Sequence, residues 1–295
     1  MPAEIIDGAS IAARIRADLR VEVADFAQQG TIPRLVVVLV GDDAASAVYV
    51  AAKGRACLEV GMDENTVLLP ATTSQAELLT LLDSLNADPS VHGILVQSPL
   101  PKHIDAAAVI RRIHPSKDVD GFHPLNVGKL LAGERDGFAP CTPAGIQELI
   151  RCYDIETHGA NCVVVGRSNI VGKPMAALMI QDGRTANATV TICHRYTRDL
   201  AMHTRNADIL ITAVGKPGLI TAQMVKAGAA VLDVGITRIS DPTRMSGTRL
   251  VGDVDFATVR DVAGYITPVP GGVGPMTIAM LLRNTLRAAQ RLAAA

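Results

Sequence analysis

The fold is decided by the stretch Asn161-Cys162-Val163-Val164-Val165-Gly166-Arg167-Ser168-Asn169-Ile170-Val171-Gly172-Lys173-Pro174. It passes from a short β-branched apolar segment through a glycine turn to a proline near a helix start. In nucleotide-binding sheets, such glycines permit the tight turn and bring a pyrophosphate close to the helix N-terminus. The spacing here, G-x-S-x-x-x-G, departs from G-x-G-x-x-G in two ways. Ser168 replaces the middle glycine, and one extra residue precedes the last glycine. The stretch therefore predicts a strand–turn–helix unit, with a plain structural turn as the open alternative.

The next predicted strand, Thr189–Cys193, points to the cofactor. It ends in His194-Arg195, and no acidic residue follows before Asp199. A site that prefers NAD places an acid about 20 residues beyond the glycines to bind the ribose 2′-hydroxyl. A cation at that place suits a 2′-phosphate instead, so the pattern favours NADP, with Arg167 adding to the positive charge. An ordinary solvated surface arginine is the alternative for Arg195.

Strand-like apolar runs alternate with helix-length segments along the chain, which predicts a parallel α/β architecture. We place a domain boundary at Pro140-Cys141-Thr142-Pro143, where Thr142 can cap a helix that begins at Pro143. An N-terminal α/β catalytic domain then covers 1–142 together with a C-terminal helix, 277–295. A Rossmann-like, doubly wound nucleotide-binding domain covers 143–276, and the architecture predicts a cleft between the two.

The elements behind this division follow from hydrophobic periodicity and turn residues. The predicted strands cover 35–40, 66–69, 93–97, 162–165, 189–193, 208–213, 230–234 and 265–267. The predicted helices cover 5–29, 44–60, 75–86, 126–131, 174–181, 200–205, 221–227 and 277–294.

Composition narrows the function classes. Hydrophobic residues make up 48% of the 295 residues and the formal net charge is −1, which describes a globular chain and disfavours a general nucleic-acid or membrane-surface binder. The five cysteines include no C-x-x-C pair, so we expect reduced thiols and no metal site. The N-terminus lacks the pattern of a signal peptide, and apolar runs such as 35–40 are too short to span a bilayer. We expect a soluble, cytoplasmic protein.

The first half of the chain contains a set of chemically reactive side chains. Ser46, Tyr49 and Lys53 are spaced i, i+3, i+7 on one face of a predicted helix, where a solvated Tyr–Lys pair is the simpler interpretation. Gln97 stands at the carboxyl end of the strand 93–97, which is where open α/β sheets place their ligands.

Lys117-Asp118-Val119-Asp120-Gly121-Phe122 adds two carboxylates in one loop. Alone, these carboxylates fit either half of a metal site or a plain turn. No further carboxylates follow at ligand spacing, so we do not expect an EF-hand or a magnesium site built from carboxylates.

A stiff, nearly side-chain-free loop lies near the C-terminus. Residues 268–277 hold three prolines and three glycines, with Thr277 as the only polar side chain. Such a loop suits a flat ligand bound by backbone groups, and a tight strand-to-helix turn is the alternative.

Taken together and in order, these motifs resemble the bifunctional methylenetetrahydrofolate dehydrogenase/methenyltetrahydrofolate cyclohydrolase family over essentially the whole chain. Ser98 departs from the pattern, because the family usually has an apolar residue there, but this removes no reactive group. The matching segments are 46–53, 96–101, 117–122, 166–174, 233–236 and 270–277.

The resemblance implies oxidation of 5,10-methylenetetrahydrofolate with NADP, then hydrolysis of the methenyl product to 10-formyltetrahydrofolate, by a homodimer that binds neither nucleic acid nor membrane. The folate would lie in the cleft between the domains. Lys53 would transfer protons, and Gln97 would hydrogen-bond Lys53 or the substrate and hold the amine in place. Tyr49 would stack on the folate, and Asp120 would bind the pterin. The implied catalytic set is Tyr49, Lys53, Gln97 and Asp120.

The residues implied to touch the ligands form two sets. The folate set is Tyr49, Lys53, Val96, Gln97, Ser98, Asp120, Pro270, Gly271, Gly272 and Val273. The NADP set is Gly166, Arg167, Ser168, Thr191, Arg195 and Ile236.

Three rival interpretations remain open from the sequence. Another two-domain dehydrogenase, acting on shikimate or an amino acid, would share the fold but would not explain Gln97-Ser98-Pro99 together with the glycine loop. A monofunctional family member would lack one of the two activities. A nucleotide-binding sensor or scaffold would bind NADP without turnover.

Overall fold

The computed structural model describes residues 2–245 and 247–294, which fold into two compact units. One unit combines the residues up to 12 with 142–277, and the other combines 13–141 with the residues from 278 onward. The predicted division differs at the N-terminus, where it assigned the first residues to the catalytic part. The reason is a short N-terminal strand, Glu4–Ile5, which pairs in parallel with Tyr265–Ile266.

The elements follow one another as an alternation of strands and helices. The strands are β1 (Glu4–Ile5), β2 (Arg34–Val40), β3 (Asp63–Leu69), β4 (Gly93–Val96), β5 (Asn161–Val165), β6 (Thr189–Cys193), β7 (Ile209–Thr212), β8 (Ala230–Asp233), β9 (Thr237–Ser240), β10 (Thr248–Val251) and β11 (Tyr265–Ile266). The helices are α1 (Gly8–Ala27), α2 (Ala44–Val60), α3 (Gln75–Ala87), α4 (Ala106–Arg112), α5 (Pro124–Ala132), α6 (Cys141–Cys152), α7 (Gly172–Met179), α8 (Leu200–Thr204), α9 (Phe256–Val259) and α10 (Val273–Ala293).

Some predicted elements differ from the structure. The helix predicted over 221–227 is only a 3₁₀ turn at Ala222–Met224, and Gly228 follows with a φ of 81°. The helix predicted from 277 begins four residues earlier, at Val273. The β9–β10 hairpin and the short helices α4 and α9 were not predicted, because their segments are short and lack a clear period.

The unit of residues 13–141 is built on a three-stranded parallel sheet in the order β3-β2-β4. Its central strand β2 is buried from Leu35 to Val40, which is why the sequence reads there as an unbroken apolar run. Val36, Val38 and Val40 pack against Leu78 and Leu82 of α3. This sheet brings the carboxyl ends of β2 and β4 to one edge, and the reactive side chains follow both.

The other unit is built on a six-stranded sheet in the order β1-β11-β8-β7-β5-β6, in which every pair is parallel. Counted from β5, the order is the 2-1-3-4-5 arrangement of a doubly wound sheet, extended by β1. The strand order reverses between β5 and β7. Ligands of doubly wound sheets bind outside the carboxyl ends of the strands at such a reversal, and Gly166 directly follows β5 there.

The N-terminal residues also contact the glycine loop 268–277. Ala9 donates its backbone N–H to the Gly271 carbonyl at 2.9 Å, and a Cβ placed on Gly8 would lie 1.9 Å from the Gly272 oxygen. Only glycine fits at position 8, so the loop and the start of α1 form one packed layer. In the part of the chain that the structure describes, no helix combines the length and apolar character needed to cross a membrane.

Candidate active site and nucleotide site

Helix α2 carries two of the predicted catalytic side chains. It begins where the Asp43 carboxylate accepts the Ser46 N–H at 2.7 Å, and it ends at Gly61 with a φ of 81°. Along this helix, Tyr49 is 45% exposed while Lys53 is half-buried. The helix therefore offers an aromatic ring to solvent and an amine to the edge of the sheet.

A hydrogen bond joins Lys53 to Gln97. The Lys53 ammonium donates to Oε1 of Gln97 at 2.9 Å, and Nε2 of Gln97 donates to the Ser98 carbonyl at 2.8 Å. Because both ends of the amide are engaged, its oxygen is directed at the amine. The side chain of Ser98 is exposed and its backbone carbonyl does the orienting, so the departure at this position leaves the Lys53–Gln97 pair intact.

The two carboxylates of the loop after β4 have different surroundings. Asp118 is buried and accepts hydrogen bonds from the backbone N–H groups of Phe122 and His123 and from Nδ2 of Asn126. Burial raises the pKa of Asp118, and these hydrogen bonds oppose the rise. Asp118 is therefore the structural carboxylate that shapes the loop.

Asp120, by contrast, is the carboxylate whose charge is influenced by Lys53. Burial raises the pKa of Asp120 to about 6, and the Asp118 charge adds to the rise. The Lys53 ammonium and the neighbouring Cys141 thiol oppose it. Val96, Ser98 and Asp120 also line one cavity of about 30 Å³. The structure thus brings Lys53, Gln97 and Asp120 together.

This grouping can do two kinds of chemistry. An amine oriented by an amide oxygen can move protons to and from a bound reactant. A carboxylate can accept two parallel N–H groups from a planar ring edge. Among the described residues, no three His, Cys, Asp or Glu side chains are grouped so as to hold a metal ion.

In the other unit, the turn after β5 is closed by its own serine. The Ser168 hydroxyl accepts hydrogen bonds from the N–H groups of Val171 at 3.1 Å and Gly172 at 3.4 Å. A Cβ on Gly166 would lie 2.4 Å from the Ala213 oxygen, and one on Gly172 would lie 2.2 Å from the Gly166 oxygen. Glycine is required at both places because the turn packs against itself and against the end of β7.

Arg167 and Arg195, the two arginines predicted to bind the cofactor, both lie close to the aromatic ring of Tyr196. The guanidinium carbons of Arg195 and Arg167 lie 4.7 Å and 5.7 Å from the centre of the Tyr196 ring. Asp199 accepts the N–H of Met202 as the cap of α8. The carboxylate nearest to β6 is therefore engaged, and the end of this strand presents positive charge, which fits a 2′-phosphate. Tyr196 was not singled out from the sequence.

Two further predicted cofactor residues, Ile236 and Thr191, lie in different places. Ile236 is 42% exposed, and its Cδ1 would lie 3.5 Å from a Cβ on Gly274, so it borders the glycine loop. Thr191 pairs with Val163 in the middle of β6, two residues before that strand ends. The structure does not bring Thr191 to the strand end where Arg167 and Arg195 meet.

The glycine loop itself is a tight turn that becomes a helix. Gly272 donates its N–H to the Pro268 carbonyl at 2.9 Å, and Gly271 has a φ of 105° after Pro270. Val273 is buried and begins α10, so the surface of this loop is mostly backbone.

Sequence reasoning also missed two buried carboxylates at the edge of the six-stranded sheet. Asp233 accepts the N–H groups of Gly235, Asp253 and Val254, and burial raises its pKa to about 6. Asp253 accepts those of Val214, Gly215 and Lys216. Acidic residues within two positions of a glycine, as in Asp233-Val234-Gly235 and Gly252-Asp253, were the available signal.

Comparisons with known proteins agree with this geometry. The model of the tetrahydrofolate dehydrogenase/cyclohydrolase catalytic domain matches residues 6–120, and that of its NAD(P)-binding domain matches 140–293. A protein of Prosthecochloris aestuarii named bifunctional protein FolD is 56% identical over 289 residues, 97% of this chain and 98% of its own. One of the same name from Chlorobium phaeobacteroides strain DSM 266 is 57% identical over 291 residues, 98% of this chain and 99% of its own.

Solved structures show the same similarity. The FolD methylenetetrahydrofolate dehydrogenase/cyclohydrolase of Campylobacter jejuni superposes with a TM-score of 0.93 at 47% identity, covering 98% of this chain and 99% of its own. The Trypanosoma brucei enzyme, complexed with NADP cofactor and inhibitor, gives a TM-score of 0.94 at 42% identity over 100% of both chains. With both domain models and near-complete relatives in agreement, the chain belongs to the tetrahydrofolate dehydrogenase/cyclohydrolase family.

Proposed function

We propose that this protein oxidises 5,10-methylenetetrahydrofolate with NADP⁺ and hydrolyses the methenyl product to 10-formyltetrahydrofolate. The observation that carries the proposal is the 2.9 Å hydrogen bond between Lys53 and Gln97, next to the Asp120 carboxylate. The relatives are named bifunctional, and the Trypanosoma brucei relative is complexed with NADP. The interconversion of one-carbon folates by one chain is therefore its activity.

Asp120 is the proposed folate-orienting group. Its ionised carboxylate accepts hydrogen bonds from the aminopyrimidine edge of the pterin, which fixes the ring in its plane. The Tyr49 ring, 45% exposed on α2, is free to stack on the aromatic part of the folate. The other folate contacts stay predictions, and they are Val96, Ser98, Pro270, Gly271, Gly272 and Val273.

For the oxidation, the protein positions the reactants. Bound NADP⁺ supplies the acceptor for the hydride that leaves the bridging carbon of the folate. The turn at Gly166 and Ser168 lies at the strand-order reversal, where a pyrophosphate can approach the backbone closely. Arg167 and Arg195 present the charge for the 2′-phosphate, and Ile236 borders the glycine loop.

For the hydrolysis, Lys53 moves the proton. A water molecule adds to the methenyl carbon, and Lys53, acting at this step as the neutral amine, accepts one of the protons of the water. As the bond from that carbon to the ring nitrogen breaks, Lys53 returns the proton to the nitrogen, and the remaining hydroxyl proton passes to solvent. Gln97 holds the amine at the reacting carbon throughout, through the contact with its Oε1.

We also propose that the protein is a homodimer, on the strength of the family resemblance. Light scattering coupled to gel filtration measures this directly, and a mass equal to that of one chain at micromolar concentration would contradict it.

Replacing Lys53 by methionine removes the proton carrier while keeping a long apolar stem. We expect Lys53→Met to lower the cyclohydrolase rate at least about 100-fold, the usual contribution of general acid–base catalysis. The loss of methenyltetrahydrofolate absorbance measures it. Lys129→Met, which removes only an exposed ion pair with Asp136, is the matched control and should keep the wild-type rate. Full activity in Lys53→Met would reject the assigned role.

Replacing Asp120 by asparagine tests whether its buried charge lowers the stability of the folded protein. Because the pKa of Asp120 is raised to about 6, its ionisation destabilises the folded state as the pH rises from about 4 to 6. We expect the stability of Asp120→Asn relative to wild type to increase over this window and to stay constant above it. The free energy of unfolding in urea at several pH values measures this.

The control for this experiment is Asp118→Asn. It breaks the set of hydrogen bonds to Phe122, His123 and Asn126, so it should lower stability by about 1–3 kcal/mol. A stability difference for Asp120→Asn that does not change between pH 4 and 8 would contradict the burial of its charge.

Replacing Arg195 by alanine tests the cofactor site. We expect the KM for NADP⁺ to rise about tenfold, the value of one lost hydrogen bond to a charged group, while the KM for NAD⁺ changes little. Arg198→Ala, an exposed arginine three residues away, is the control. An unchanged ratio of the two KM values in Arg195→Ala would reject the 2′-phosphate assignment.

A further inference from the structure

One buried amide stands out on the last helix. Asn284 lies on α10 and is 5% exposed, in a stretch whose other buried residues are mainly apolar. A polar side chain in such surroundings is costly unless its hydrogen-bonding groups find partners. The apolar buried neighbours on the helix are Leu281, Leu282, Leu286, Ala288 and Ala289.

The partners of Asn284 are carbonyl groups from two separate segments. Its Nδ2 donates to the Val119 oxygen at 2.9 Å and to the Ala139 oxygen at 3.2 Å, and it lies 3.7 Å from Sγ of Cys141. An amide nitrogen has two N–H donors, and two carbonyls are in place to accept them. The side chain thus links the loop after β4 to the segment that precedes α6.

The Val119 carbonyl is the important acceptor, because it belongs to the peptide group that continues into Asp120. Sγ of Cys141 donates to the same oxygen at 3.3 Å. Two donors on one carbonyl fix the plane of that peptide group, from which the Asp120 side chain projects.

The linked segments also pack directly against each other. A Cβ on Gly121 would lie 2.7 Å from the Phe138 oxygen and from the Ala139 carbon, so only glycine permits this approach. Asn284 binds the loop on one side of this contact and Ala139 on the other. A small shift of either segment would therefore move Asp120.

We propose that Asn284 is a positioning residue for folate binding, which acts by fixing the Val119–Asp120 peptide group. The proposal rests on the proposed function, in which Asp120 binds the pterin. Asp118 fixes the chain after Asp120 through Phe122 and His123, and Asn284 fixes the chain before it. The carboxylate of Asp120 is thus positioned through its backbone from both sides.

The test compares kinetic constants of Asn284→Leu and Asn284→Ala with those of the wild-type enzyme. Leucine keeps the volume without a donor, and alanine avoids overpacking. We expect the KM for 5,10-methylenetetrahydrofolate to rise about tenfold in both, as for a lost buried hydrogen bond, with the KM for NADP⁺ within about twofold of wild type. A purely structural role would not separate the two constants.

Thr285→Val is the matched control. Thr285 is buried on the same helix, and its hydroxyl donates only to the Leu281 carbonyl. Its loss should lower the midpoint of thermal unfolding and leave both KM values unchanged. A rise of the folate KM in Thr285→Val equal to that of the Asn284 variants would overturn the proposal, because any loosening of α10 would then suffice.

The remaining outcomes distinguish the two levels of the argument. If Asp120→Asn leaves the folate KM unchanged, the assigned role of Asp120 fails and the proposal fails with it. If Asp120→Asn raises the folate KM while the folded Asn284 variants do not, only the positioning role is overturned. If both Asn284 variants are unfolded at assay temperature, Asn284 supports the fold as a whole, which also contradicts a specific positioning role.

Discussion

The nucleotide-binding unit depends on two buried carboxylates at the carboxyl edge of its sheet. Asp233 and Asp253 together accept six backbone N–H groups, from the loops after β7, β8 and β10. Loops have few ladder hydrogen bonds of their own, so a charged acceptor on which several donors converge can define their course. Each such hydrogen bond contributes roughly 1.5–3 kcal/mol and opposes the cost of burying the charge. At Asp233 the burial still outweighs them, because its pKa is raised to about 6. The loop that carries Ile236 begins directly from this arrangement.

The same chemical group serves a different purpose in the catalytic unit. Asp118, like Asp233, is surrounded by donors from its own chain and shapes a loop. Asp120, two residues later, has a thiol and the Lys53 charge beside it. Its acceptor capacity remains for a ligand, and the raised pKa shows the energetic cost of keeping a carboxylate there. A structural carboxylate thus receives its hydrogen bonds from the protein, whereas a binding carboxylate keeps its acceptor capacity for the ligand.

Much of this could be anticipated from residue patterns. The helix 44–60 and the strand 189–193 were placed correctly because their boundaries coincide with capping or turn residues. The grouping of Lys53, Gln97 and Asp120 followed from strand ends and the family pattern. By contrast, nothing local marks Asn284 as the partner of a loop 165 residues away in sequence, and Thr191 could not be placed without the register of β6. Contacts between distant segments, and the exact end of a strand, depend on tertiary packing that periodicity does not encode.

The pairing of β1 with β11 has a consequence for biosynthesis. Glu4 and Ile5 leave the ribosome 261 residues before their partners Tyr265 and Ile266. The catalytic unit likewise includes the residues from 278 onward, so neither unit is contiguous in the chain. Contacts of such high sequence separation form slowly and late. The nascent chain therefore carries an unpaired strand and an uncovered core surface while these 261 residues are made, and chaperones would be needed most during that interval.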